Sequence, residues 1–324
     1  MHIQAQQIAV ITGGGSGIGR ALARQLSAQG VHLSLCDLSE AALAETRALC
    51  LADVPPGTRV HTATANVSVE AEVQAFKLAV VAAHDSPHIH LLFNNAGTSA
   101  GGSFVAGQRD DWERCFNVCW GGVYLGARAF LPLLVAGPGG CIVNISSING
   151  FWASLGPGVA HTAYSAAKFA VKGFTEALIT DLRLNAPHLS CALVMPGHIG
   201  TSIALNSIAA ADMGPEQLAQ ARARLLRAGA PVAELPDEAI RQILHQRGVD
   251  FRDQAPTTAD QAATVILDGV RAGQWRILVG EDALELDQLV RADPGNAYEA
   301  AFAQAWMDGR STLVTPAPRG SIKA

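Results

Sequence analysis

The chain has 324 residues, 49% of them hydrophobic and 16% charged, enough apolar material to bury a large core. A formal net charge of −5 gives no electrostatic footprint for nucleic acid, and no uninterrupted apolar run reaches the length that spans a bilayer. The first residues lead almost directly into an apolar strand, so no secretory leader is expected and a cytoplasmic location is.

In chain order, QQIAVI reads as a β-branched strand and ALARQLSAQG as the helix after it, joined by the Gly-rich TGGGSGIG. In this strand-turn-helix setting Gly13, Gly17 and Gly19, with Ser16 and Ile18 between them, allow a sharp turn, a close approach to a pyrophosphate and tight helix-on-strand packing. VHLSLC is the second strand, followed at once by Asp37, 18 residues beyond Gly19. A carboxylate there accepts from both ribose hydroxyls of NAD and repels a 2′-phosphate; the alternative is a cap for the following helix. Ser16 and Leu38 leave no basic side chain for that phosphate, which favours NAD over NADP.

VHTATA, HLLFN, GGCIVNIS, LSCALVMP and WRILVG follow as strands three to seven. Continuous apolar runs alternating with helices predict an α/β protein: a Rossmann-type, doubly wound, parallel seven-stranded sheet with helices on both faces. A ligand is expected in the crevice beyond the strands' carboxyl ends. His84, His88 and His90 cluster in HDSPHIH, which reads as a polar surface turn, and no metal site is expected. The six cysteines include no CxxC pair and read as reduced core thiols, with Cys115 and Cys119 on one helical face.

Tyr164 and Lys168 stand four residues apart in AYSAAKFAV, on one face of a helix. An ordinary phenol, with a pKa near 10, is a poor base at neutral pH, and a neighbouring ammonium favours its ionised form. His161 and His198 lie close enough in sequence to this chemistry to be candidates for substrate contact.

Between the sixth and seventh strands, PEQLAQARARLL begins at Pro215 and PDEAIRQILHQRG runs from Asp237 to Gly248. Residues 202–256 are expected to form an enlarged lid, hinged through AGAPVAELP, with plain scaffold packing as the alternative. The catalytic domain is placed at 1–280. The extension 281–324 comprises two short helices, an aromatic stripe of Tyr298, Phe302 and Trp306 suited to core or interface, and a disordered tail TPAPRGSIKA.

Six ordered motifs, TGGGSGIG, NNAG, the Asn of RCFNV, ISS, YSAAK and PGHIGT, resemble the single-domain branch of the short-chain dehydrogenase/reductase family. The resemblance implies that Tyr164 is the acid/base and that the Ser147 hydroxyl bonds the substrate oxygen. It implies that Lys168 binds the nicotinamide ribose and that Asn117 holds a relay water for it. Asn95, Ala96 and Gly97 would line the adenosine side. Pro196, Gly197, Ile199 and Thr201 would border the nicotinamide, the last two at its carboxamide. Asn66, beside Val67, stands where the family often has Asp, and its amide oxygen would accept from the adenine amino group.

Ser147 and Tyr164 are 17 positions apart, wider than usual, which leaves Ser146 as a minor alternative and lets FWASLGPGVAHTA reshape the pocket. The implied activity is that of an NAD-dependent alcohol dehydrogenase or carbonyl reductase, forming a homodimer or homotetramer. Phe151, Trp152, Leu155 and Ile203 suggest an uncharged, apolar secondary alcohol or ketone as substrate. The alternatives are an NAD(H)-sensing module without turnover and an NADP-dependent reductase.

Overall fold

A computed structural model describes residues 2–308 apart from 53, 100–101, 157–158, 210–213 and 228. The first half runs β1 (Ile8–Thr12), α1 (Gly17–Ser27), β2 (His32–Asp37), α2 (Glu40–Ala52), β3 (Val60–Thr64), α3 (Glu70–His84), β4 (Leu91–Asn94), α4 (Arg109–Phe116), a π-helical turn (Asn117–Gly121) and α5 (Gly122–Val135). The second half runs β5 (Gly140–Ile145), α6 (Thr162–Asn185), β6 (Leu189–Pro196), β7 (Ile199–Gly200), α7 (Ile203–Ala209), α8 (Pro215–Arg227), α9 (Asp237–Asp253), β8 (Thr257–Thr258), α10 (Ala259–Arg271), β9 (Arg276–Val279), α11 (Glu281–Ala292) and α12 (Ala300–Asp308).

Seven of these strands form one parallel sheet in the order β3-β2-β1-β4-β5-β6-β9, at the seven places where the sequence predicts strands. Order reverses between β1 and β4, which opens a crevice at their carboxyl ends. Strand alternation explains why these segments are apolar throughout. In β1, Ala9 and Ile11 join the core shared with Leu22 and Leu26 of α1 and Ile266 and Val270 of α10. Ile8 and Val10 face the other core, with Phe76 of α3, Phe130 of α5 and Leu178 of α6. Burying each large side chain contributes roughly 1.5–3 kcal/mol, so both layers are fixed to the sheet.

One expectation fails here. His84 is buried: its Nε2 meets Ser34 Oγ at 2.9 Å and its ring stacks on His32 at 5.9 Å. The His90 ring accepts from the Ile8 N–H at 3.1 Å. HDSPHIH is therefore a helix end plus a strand lead-in, not a surface loop, because α3 extends through His84 before Asp85 caps it in the left-handed conformation. Arg109–Val135 makes a continuous helical stretch of 27 residues that is long and apolar enough, by length and composition, to cross a membrane, although Arg114 and Arg128 interrupt its apolar run. Its inward residues Ala129, Phe130 and Leu134 pack into the second core, as a helix covering a sheet must.

The 202–256 segment carries its own small core of Leu218, Ala221, Leu225, Val232 and Ile240. Its α8–α9 connection is pinned rather than hinged: the Arg222 guanidinium donates to the carbonyls of Val232 at 2.9 Å and Leu235 at 2.5 Å and pairs with Asp237 at 2.7 Å. In the C-terminal extension, Trp152 packs against Phe302 and Trp306 with ring centroids at 5.9 and 5.2 Å. Its Nε1 donates to the Ala297 carbonyl at 2.6 Å. Tyr298 precedes α12 and is largely exposed, its hydroxyl accepting from the Ala153 N–H, so the stripe is split. The tail TPAPRGSIKA lies outside the described residues.

Candidate active site

The Gly-rich loop, NNAG, ISS and PGHIGT follow the carboxyl ends of β1, β4, β5 and β6. The Gly-rich loop leaves β1 with Gly13 at φ +67° and Gly17 at φ +51°, conformations that side chains disfavour. A Cβ on Gly13 would sit 2.8 Å from Ala96 Cα, and one on Gly17 would sit 3.1 Å from Thr201. These glycines keep open a cradle at the amino terminus of α1, the geometry that receives phosphate oxygens. Gly19 cannot carry a side chain because it would run into the Gly13 carbonyl.

Asp37 ends β2 and faces the loop: Oδ2 accepts from the Gly15 N–H at 3.0 Å and Oδ1 from the Ser39 N–H at 3.2 Å. Its carboxylate is thereby aimed rather than merely capping α2, and Leu38 beside it is 64% exposed with no cationic replacement. Asn95 is a brace. Its Nδ2 donates to the Thr12 and Gly13 carbonyls at 2.9 and 3.2 Å, while Thr12 Oγ1 receives the N–H groups of Asn95 and Ala96. The NNAG loop is thus tied to the Gly-rich loop, with Ala96 and Gly97 at the crevice. Asn66 differs from expectation, since its Oδ1 accepts from both the N–H and the hydroxyl of Ser68 at 3.0 and 2.7 Å. With both lone pairs engaged, Asn66 offers Nδ2 as a donor, and Val67 beside it is buried against Gly122.

At the far side, Ser146 and Ser147 end β5 with different duties. The Ser146 hydroxyl is buried and donates to the Lys168 carbonyl at 2.8 Å, fastening strand to helix. Ser147 Oγ accepts from the Asn149 N–H at 3.2 Å and, unlike Ser146, stands near enough to the Tyr164 phenol to favour its ionised form. Lys168 Nζ donates to the Ile145 carbonyl at 2.8 Å and lies 5.3 Å from the Tyr164 ring centroid. Burial pushes the Tyr164 phenol above its ordinary range and the Ser147 bond pulls it back; burial likewise lowers Lys168. The expected depression of Tyr164 by Lys168 is not seen; burial dominates, because the ring sits in an apolar cluster with Cys115, Cys119, Ala163 and Ala167.

Asn117 does not join this group. It faces solvent at the start of the π-helical turn, and the inward position falls two residues later, on the fully buried Cys119. Cys119 Sγ accepts from the Thr98 N–H at 3.4 Å and donates to the Thr98 carbonyl at 3.3 Å. Cys115 and Cys119, four residues apart, share that inward face, as the sequence spacing predicts, and Asn117 lies away from it. His161 does join, its ring 4.7 Å from Tyr164, and burial lowers its pKa to about 4, so it is neutral.

His198 does not. Its Nε2 donates to the Phe251 carbonyl at 2.6 Å, its ring stacks on Phe251 at 4.3 Å and its N–H is held by Asp282, so it fastens α9 to the end of β6. Pro196 pairs with Val279 and Gly197 leaves no room for a side chain beside Asp282. Ile199 pairs with Thr257, which turns Thr201 toward Gly17. Trp152 points into the C-terminal cluster rather than serving as pocket wall. Over the crevice, Ser207 Oγ of α7 meets Thr98 Oγ1 at 3.0 Å and the Ser99 N–H at 3.0 Å, and Asn206 reaches Ser16 at 3.3 Å.

Comparison with known proteins agrees with this geometry. The profile of the family described as short chain dehydrogenase matches residues 7–211. The protein SadH of Mycobacterium tuberculosis is 36% identical over 299 residues, covering 92% of this chain and 94% of its own. Levodione reductase of Leifsonia aquatica is 32% identical over 216 residues, 64% of this chain and 74% of that protein. A short-chain dehydrogenase/reductase from Burkholderia phymatum, crystallised with NAD, superposes with a TM-score of 0.72 at 32% identity, covering 91% of this chain and 96% of its own. With its Gly-rich loop, its Ser147-Tyr164-Lys168 group and these relatives, the chain belongs to the short-chain dehydrogenase/reductase family of oxidoreductases.

Proposed function

We propose that the protein interconverts an apolar secondary alcohol and its ketone with NAD as the hydride carrier and Tyr164 as the acid/base. The observation that carries this reading is the convergence of the Ser147 hydroxyl, the Tyr164 phenol and the Lys168 ammonium at the end of β5, opposite the Gly-rich cradle.

The cradle fits a dinucleotide. Gly13, Gly17 and Gly19 leave the phosphate space clear, Asp37 offers carboxylate oxygens to a ribose, and Thr201 borders the same space from β7. The nicotinamide ring, when bound, supplies the carbon that gives or takes hydride. In oxidation Ser147 bonds the alcohol oxygen and Tyr164 takes its proton; in reduction Tyr164 returns the proton to the carbonyl oxygen while Ser147 polarises it. Lys168 holds its charge beside Tyr164 and within reach of a ribose. Asp37 supports NAD, and the relative crystallised with NAD supports it further. The neutral His161 and the ring of Phe151 suit an uncharged substrate. Residues 202–256 act as the roof over it, latched through Ser207 and Asn206.

A panel of secondary alcohols and ketones, each offered with NAD and NADP, tests this by the absorbance of reduced nicotinamide. Turnover with NAD in preference to NADP is expected. NAD binding without turnover of any substrate would indicate a sensing module, and preference for NADP would overturn the cofactor assignment.

A further inference from the structure

The cap position of α6 is His161, where helices ordinarily place Ser, Thr, Asp or Asn to hold the free N–H groups of the first turn. His161 makes no such bond. Its ring lies instead 4.7 Å from the ring of Tyr164, three residues on and on the same helical face. Lys168, four residues further, continues that face, so Tyr164 stands between a buried ammonium at the inner end and an imidazole at the outer end. His161 and Tyr164 are both half-buried, where the crevice opens.

The polar side chains around this outer end are otherwise spent. Trp112 Nε1 donates to Thr162 Oγ1 at 3.1 Å, Thr162 Oγ1 donates to the Gly102 carbonyl at 3.0 Å, and Asn149 Nδ2 donates to the carbonyls of Trp152 and Ser154. Elsewhere the imidazoles of His32, His61, His84, His90 and His198 each engage a protein partner through a ring nitrogen. Among the described residues, neither ring nitrogen of His161 has a hydrogen-bond partner, although burial keeps this ring uncharged, with one donor and one acceptor to satisfy. Such unmet groups are costly in a desolvated site, and ligand pockets carry a few polar groups of this kind that fix how a mostly apolar ligand lies.

We infer that His161 is a specificity-determining residue of the proposed reaction: it hydrogen-bonds a second, uncharged oxygen of the substrate, on the carbon beside the one that gives or takes hydride. The substrate class is then a vicinal diol or its hydroxyketone, with an otherwise apolar body. The inference rests on the reading of Tyr164 as acid/base, since the reacting oxygen lies at the phenol when its neighbour reaches the imidazole. Two rings in contact serve oxygens on adjacent carbons, one to each. The second oxygen is unchanged by hydride transfer, so its bond is as strong in the ground state as in the transition state and acts on KM rather than kcat.

The test is NAD-dependent oxidation of matched pairs by the whole protein: cyclohexanol against vicinal cyclohexanediol, and sec-butanol against vicinal butanediol. Wild type should favour each diol by about tenfold in kcat/KM, chiefly through KM. His161→Phe keeps a ring against Tyr164 without the nitrogens and should bring the ratio close to one, while His161→Gln, which keeps a donor and an acceptor, should restore part of it. A wild-type ratio near one, or a ratio that survives in His161→Phe, would overturn the inference; equal losses on both alcohols would mark His161 as a prop for the Tyr164 ring.

Calorimetric titration of the same pairs into NADH-loaded wild type and His161→Gln needs no turnover and decides if His161→Phe does not fold. Tighter binding of the diol is expected in wild type, and equal or undetectable binding would overturn the inference. An active Tyr164→Phe variant would instead overturn the acid/base reading, so the two failures are distinct.

Discussion

Beneath the crevice, the Gly-rich loop, Asn95 and Lys168 hang on strand ends embedded in two large cores, whereas α8 and α9 above it share five buried apolar residues of their own. The roof meets the floor through polar contacts, Ser207 to Thr98 and Ser99, Asn206 to Ser16 and Gln108 to Glu216 at 2.5 Å, and through the ring of Phe251 on His198. Elements with few buried contacts open locally at a fraction of the global unfolding free energy. On the proposed reading, the chemistry sits on the part that cannot move without unfolding, beneath a segment with a smaller core of its own. Arg222 ties α8 and α9 together, since it donates to the carbonyls of the connection between them.

The largest expected effect falls on the floor. Lys168→Ala should lower turnover by about 10²–10⁴-fold and also weaken NAD binding, measured by steady-state kinetics and by titration. Unchanged NAD affinity would remove the ribose contact from the account. In the roof, Leu225→Ala or Ile240→Ala should cost about 2–5 kcal/mol, confined to that unit. Hydrogen exchange should show faster opening of residues 215–247 with β1 and β4 unaffected. A single transition shared by both regions would erase the distinction drawn between them. Substrate with NAD should slow roof exchange further, and equal protection with and without ligands would make 202–256 fixed scaffold.

Asp37→Ala sharpens the floor's specificity. Loss of a charged acceptor and relief of its repulsion should move the NAD-to-NADP efficiency ratio toward NADP by about 1–3 kcal/mol. A ratio that does not move would reassign Asp37 to bracing Gly15 and Ser39. The smallest effect is on acid stability. His84 is buried and neutral, its pKa lowered by burial from 6.5 to about 4. The unfolded chain takes up its proton first as pH falls, so this contribution is intact above 6.5 and is lost on descending toward 4. His84→Gln should be less stable at neutral pH yet flatten the decline in that window by about 1 kcal/mol. An unchanged slope would place the acid sensitivity elsewhere.

The floor was legible in the sequence because its function is written in local constraints: glycines where side chains collide, apolar runs for the seven strands, and a Tyr–Lys pair one helical turn apart. The outward place of Asn117 was not read from the sequence, although Cys115 and Cys119 on one helical face already marked the inward side of this stretch. His84 and His198 misled in another way: one stood in a polar segment and the other beside the expected nicotinamide, and the Nε2 of each is engaged by a residue 50 or 53 positions away in the chain. Arg222 was likewise hidden, since its clamp on carbonyls 10 to 13 residues further on depends on how α8 and α9 fold together.

The central claim is that one phenol, presented by α6 beside Ser147 and Lys168, performs the proton transfer while the floor around it holds the dinucleotide. Tyr164→Phe separates the two duties, because it deletes the hydroxyl and leaves the ring in its apolar cluster. Titrating NAD into wild type and Tyr164→Phe, and measuring turnover of both on the same alcohol, puts the claim to its most direct test. The account predicts near-equal NAD affinity and turnover reduced by about 10²–10⁴-fold. More than roughly one tenth of wild-type turnover in the variant, far above that range, would contradict it.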